Sequence, residues 1–246
     1  MSYINTFSKL DPEVLFFALT GGFLPAIFWL WFWLKEDSER PEPKMMLIIT
    51  FLGGMAAVIL SIALEIYSKP YADKLGNYGT MIYVAIEEIV KFSFAFMIAL
   101  KSRFDNEPID PLIYMIATAL GFAALENSIF ITSSYLDEGV SASVSNGIQR
   151  FLGATLLHTA ASGSIGLALG LSFYKKPAVK FWFVTIGLIT AITLHTLFNL
   201  FIMSEGVSVI SVMVGVWITI LALILAFERV KKIYPPLIGS TSGLNN

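Results

Sequence analysis

The chain has 246 residues, 56% hydrophobic and 14% charged, with no cysteine and a formal net charge of −2, and its mean hydropathy is +0.75. Soluble domains carry about 25% charged residues, so this composition excludes a soluble globular domain and describes a polytopic membrane protein. The missing thiols exclude disulfides, thiolate metal sites and a cysteine nucleophile, and the charge balance offers no basic surface to nucleic acid.

In chain order, seven apolar segments are long enough to cross a hydrocarbon core of about 30 Å: 13–34, 45–67, 79–100, 112–134, 151–173, 180–203 and 207–227. The first follows the polar stretch MSYINTFSKLDPE, exceeds a signal-peptide core in length and lacks a small-x-small exit, so it is expected to be retained. Its FWLWFW cluster at 28–33 predicts an aromatic belt at the membrane boundary. The second carries Glu65 near one end, where an interfacial position is expected. The third holds Glu87, Glu88 and Lys91, and the fourth Glu126. A polar loop, YLDEGVSASVSNGIQR, is predicted between the fourth and fifth spans, with Arg150 as an interface anchor or an entry gate. His158 and Ser162 lie in the fifth span, His195 and Asn199 in the sixth. Ser162 is expected to bond its own helix backbone. The predicted fold is all-α, a polytopic bundle of about seven transmembrane helices. One membrane domain spans 1–227, with its motif-bearing core at 79–203 and a flexible cytoplasmic tail at 228–246.

Lysine and arginine set the expected orientation. Lys35, Arg40, Lys44, Lys101, Arg103, Lys175, Lys176, Lys180, Arg229, Lys231 and Lys232 fall on one side, and Lys9, Lys69, Lys74 and Arg150 on the other. The richer side is predicted to be cytoplasmic, which puts the N-terminus outside and the C-terminus inside. In that topology Glu87, Glu126, His158 and His195 each lie some seven or eight residues from the outer face, which at 1.5 Å per residue is about 10–13 Å deep. Ionisable groups in hydrocarbon cost at least about 2.5–3.5 kcal/mol each on insertion scales. Four of them in one layer predict a single polar cavity lined by spans three to six.

The residue types narrow the chemistry. Two imidazoles and a carboxylate are an open ligand set for catalytic zinc, leaving a position for water, so Glu126, His158 and His195 are the predicted metal ligands. Glu87 or Glu88 is the predicted base, with Lys91 neutralising the other, because the two carboxylates point about 100° apart around the helix. Asn199, one turn beyond His195, is placed to donate to a developing oxyanion. The expected reaction is peptide-bond hydrolysis inside the membrane. The rival from another class is a proton- or ion-coupled transporter, which also places Glu, His and Lys in the bilayer, although broken helices and repeated halves are not evident.

The series EEIVK at 87–91, FAALEN at 122–127, Arg150 with HTAAS at 158–162, and HTLFN at 195–199 resembles the PrsW family of intramembrane proteases. Beyond it lie the CAAX-processing and bacteriocin-processing membrane proteases, from which this chain departs by Glu126 in place of histidine and by Lys91 one residue closer than their arginine. The resemblance implies a multi-pass protease of the cell membrane that cuts a single-span substrate toward the outer side. In the family role that substrate is an anti-sigma factor, cleaved at a first site under envelope stress. It implies Glu87 rather than Glu88 as the base. It admits zinc at the site as well as water activated by glutamate and histidine without a tightly held ion.

Overall fold

A computed structural model describes residues 12–36, 40–204 and 206–234. The expectation of a flexible tail falls largely on 235–246, outside the described residues, as does most of the polar stretch before the first span. Eight α-helices occur among the described residues: α1 Pro12–Glu36, α2 Lys44–Ala72, α3 Thr80–Ala95, α4 Asp110–Glu138, α5 Val140–Gln149, α6 Thr155–Leu171, α7 Pro177–Ile202 and α8 Val209–Val230. Prolines 111 and 177 stand in the first turns of α4 and α7, where the missing N–H costs nothing. No strand occurs among the described residues, as hydrocarbon requires of a chain that must satisfy its backbone within each segment.

Six segments are long and apolar enough to cross a membrane: Pro12–Lys35, Lys44–Gly76, Asp110–Glu138, Val140–Leu171, Pro177–Ile202 and Val209–Val230. The remaining expected span, 79–100, is α3 extended by a π-helical turn over Phe96–Leu100. Its α-helical part is only 16 residues long and holds three charged residues, Glu87, Glu88 and Lys91, all buried inside the protein.

The expected polar loop between the fourth and fifth spans is helical. Helix α4 runs to Glu138, the chain reverses at Gly139, whose φ of 87° suits only glycine, and α5 starts at once and folds back along α4. A π turn over Arg150–Ala154 joins α5 to α6. The serine-rich composition suggested a loop, but Ser143 is buried and its amide bonds the Gly139 carbonyl, so packing overrides local propensity.

Helix α4 is the centre of the bundle, with 83% of its most apolar stretch buried. Helices α1, α2 and α6 pack directly on it. The α2 contact is close enough that a methyl on Gly121 would collide with the Phe51 carbonyl and one on Gly54 with the Thr118 carbonyl. Small residues allow this approach in lipid, where helices gain little from hydrophobic burial and associate by packing.

Candidate active site

Helices α3, α4, α6 and α7 bring their polar residues together, as the shared depth predicted. Glu87, Glu126, Arg150, His158, His195 and Asn199 line one cavity of about 370 Å³, together with Glu65 of α2. Glu65, expected at the interface, therefore faces the site instead. The His158 and His195 rings meet edge to face with centroids 4.8 Å apart.

The two adjacent glutamates have different surroundings. Glu88 is fully buried and both of its oxygens are engaged: Oε1 lies 2.5 Å from Lys91 Nζ and 2.9 Å from His195 Nδ1, and Oε2 accepts the Ser162 hydroxyl at 2.9 Å. Ser162 thus serves a side chain and not its own backbone. Its expected i−4 bond loses to an ionised acceptor, since hydrogen bonds to charged groups are about twice as strong as neutral ones. Glu87 is buried as well, but its Oε2 has no hydrogen-bond partner. That oxygen stands 3.8 Å from His195 Nε2 and 3.9 Å from Lys91 Nζ.

This pattern sets the tautomers. Glu88 accepts from His195 Nδ1, leaving the Nε2 lone pair facing Glu87. Lys91 Nζ lies 3.0 Å from His158 Nδ1, and an ammonium only donates. The Nδ1 of His158 therefore accepts, and its Nε2 donates to Glu126 Oε2 at 3.0 Å. Lys91 also sits 4.4 Å above the Phe122 ring, so a fully buried cation is met by a carboxylate, an imidazole and an aromatic face.

Glu126 is held by Arg150, whose terminal nitrogen bonds Oε2 while its Nε donates to Asn127 Oδ1 at 2.6 Å. Asn127 in turn donates to Thr155 Oγ1 at 2.9 Å, and that hydroxyl bonds the Arg150 carbonyl at 3.0 Å. Arg150 is thus part of the site's framework, beyond an interface anchor or an entry gate, and the π turn it occupies aims its side chain inward. Such bulges recur at functional sites.

One donor atom from each of Glu87, Glu88, His158 and His195 lies within 4.8 Å of the others. Buried carboxylate oxygens and imidazole nitrogens are donors that zinc accepts. With Glu87 Oε2 left unpaired beside the free Nε2 of His195, this group fits a divalent metal. Glu126 lies outside the four and pairs with His158 from the other side of its ring.

The chain is similar to proteins of one known family. The chain is 26% identical over 182 residues to "Protease PrsW" of Clostridioides difficile (strain 630), covering 71% of this chain and 74% of that protein. It is 23% identical over 169 residues to "Protease PrsW" of Geobacillus kaustophilus (strain HTA426), covering 68% and 70%. It is 24% identical over 192 residues to "Protease PrsW" of Halalkalibacterium halodurans, covering 75% and 83%. No solved structure matches. The model of the PrsW family intramembrane metalloproteases matches residues 42–226, a region that contains every buried polar residue of the cavity. The chain is a multi-pass membrane protein and an intramembrane protease, and it belongs to the PrsW family.

Proposed function

We propose that the chain hydrolyses a peptide bond of a single-span membrane protein near the outer side of the membrane, with Glu87 as the general base. The observation that carries this reading is the unpaired Oε2 of Glu87, buried in a polar cavity opposite the free Nε2 of His195. A carboxylate without a partner in such a place can take a proton from water lodged between the two groups, and can later deliver it to the leaving amine. Glu88, engaged on both oxygens by Lys91, His195 and Ser162, fixes the His195 ring. Asn199, one turn beyond His195 on the cavity wall, is the donor for the oxyanion.

His158, His195 and Glu126 are the proposed metal-holding residues, Glu126 through its place beside His158 Nε2 although it stands outside the closest donor group, because Glu88 is engaged by Lys91, His195 and Ser162 and Glu87 is the base; zinc is the ion that suits these donors. When bound, such an ion lowers the pKa of water and polarises a carbonyl. The cleavage side follows from the excess of lysine and arginine at the opposite end of the bundle. An anti-sigma factor is the substrate that the family resemblance implies.

Co-expression with doubly tagged single-span proteins, wild type against Glu87→Gln, tests this directly. A shortened fragment that requires Glu87 and is lost with a zinc chelator is the expected result. Equal fragments from both chains would remove the assignment of Glu87, and Glu87-dependent fragments that persist in chelator would remove the metal.

A further inference from the structure

A second cavity lies outside the catalytic one. Helix α8 packs along α6 but scarcely meets α7, although only six residues separate the two in sequence. The gap between them is a half-open groove of about 260 Å³, with Leu157 and Ala160 of α6 as its floor. Leu194, Leu197 and Phe198 form one wall. On the other wall Ser211, Gly215 and Thr219 recur every four residues and so share one face of α8. A Cβ added to Gly215 would meet no atom, so this face is vacant and not filled by α7.

The groove adjoins the active site. Leu157 and Phe198 line both cavities, and the unpaired Oε2 of Glu87, in a residue only 9% exposed, lies in the inner one. An apolar slot whose wall is made of small residues suits one face of a transmembrane helix, because small side chains let two helices approach closely in lipid. We propose that the α7–α8 groove is the lateral port by which the transmembrane helix of the substrate reaches Glu87, seated against Ser211, Gly215 and Thr219 with Phe198 between port and catalytic cavity. The port rests on the protease reading for its occupant. It identifies the recognised feature as an apolar helix with a small-residue face and not a soluble loop.

Because the chain has no cysteine, single thiols can be placed without further change. The full chain in liposomes, with a doubly tagged single-span protein whose helix carries alanine and glycine, is labelled with benzophenone-maleimide at Gly215→Cys or Thr219→Cys. Ile59→Cys on α2, at a position 67% exposed toward lipid, is the control. Light-dependent adducts with the single-span protein are expected from both groove positions and not from α2, and labelling Gly215→Cys is expected to lower cleavage at least about tenfold relative to the same chain before labelling. Adducts only with lipid or with a second copy of the chain would overturn the port, as would undiminished cleavage after complete labelling. Fragments without groove adducts would remove the port and leave the protease. Groove adducts with no fragment from any unlabelled chain would support the helix-binding groove and remove the protease reading.

Discussion

Glu88 Oε1 lies 2.9 Å from His195 Nδ1 across the α3–α7 interface, and the same oxygen is 2.5 Å from Lys91 Nζ. One carboxylate oxygen therefore both orients an imidazole and neutralises a buried ammonium. Its neighbour in sequence, Glu87, is excused from both tasks. A carboxylate partner on the far nitrogen is also the usual means by which a ligating histidine is fixed in tautomer and angle.

Removing one member of a buried ion pair leaves an uncompensated charge and costs about 3–5 kcal/mol. Glu88→Gln should therefore lower the unfolding temperature in detergent, and Lys91→Met introduced beside it should recover part of the loss. A double-mutant cycle measured by thermal unfolding is expected to give a coupling energy of about 0.5–3 kcal/mol. Additive losses would mean that the two side chains do not depend on each other.

Lys91 and a metal make opposite demands on His158. The ammonium uses the Nδ1 lone pair and leaves the proton on Nε2, whereas a metal at Nε2 requires that proton to be absent. Lys91→Met should therefore raise the zinc retained by the purified chain, measured by mass spectrometry, while His195→Ala should lower it. Unchanged zinc in Lys91→Met would show that lysine does not compete for the site.

Arg150 spans two acceptors at once, Glu126 and Asn127, a fork that lysine cannot reproduce. Arg150→Lys keeps the charge but loses the second bond and should reduce cleavage by about 10–100-fold, the range seen when supporting partners of a metal ligand are altered. The chain's unfolding temperature is expected to change far less than in Glu88→Gln. A variant with wild-type cleavage would demote Arg150 to a counter-charge.

Much of this site was legible because hydrocarbon makes each ionisable residue conspicuous. Glu87, Glu88, Lys91, Glu126, His158 and His195 stand out from apolar runs; Glu87, Glu126, His158 and His195 line one cavity, and Glu88 and Lys91 are buried beside it. The sequence did not show which atoms pair. Ser162 reaches Glu88, 74 positions away, and Arg150 reaches Glu126 through a π turn that no propensity signals. The rotation of each helix about its axis decides these contacts, and rotation depends on packing at positions such as Gly54 and Gly121. The helix α5 was hidden for a different reason: serine, asparagine and glycine mark loops in water, but in this chain the segment lies against α4.

Beyond the end of α3, Asp105 offers a pH-dependent test. Burial, with a further contribution from Asp110 and against the opposing effect of Lys180, pushes its carboxyl from the ordinary 3.8 up to about 7, and its Oδ1 has no partner. A carboxyl raised in this way favours the protonated form in the fold. Its stabilisation is therefore present at low pH and lost as pH rises through about 7. Asp105→Asn should flatten the dependence of unfolding temperature on pH between about 4 and 7 and raise stability above that window. A variant that keeps the wild-type slope would locate the titration elsewhere.

Helix α1 precedes the region matched by the family, which begins at residue 42, yet it shields the central helix. Gly21 and Gly22 lie so close to α4 that a side chain on either would strike Ile131 or Ser128. Helix α4 carries Glu126, Asn127, Ser128 and Thr132, and its hydropathy of 1.5 is well below the 2.5 of the second span. Its polar residues are kept from lipid by the helices packed around it, since 83% of its most apolar stretch is buried inside the protein. In the folded bundle α1 and α2 thus cover two sides of the catalytic helix, and a chain cut at the family boundary would leave the α1 side bare.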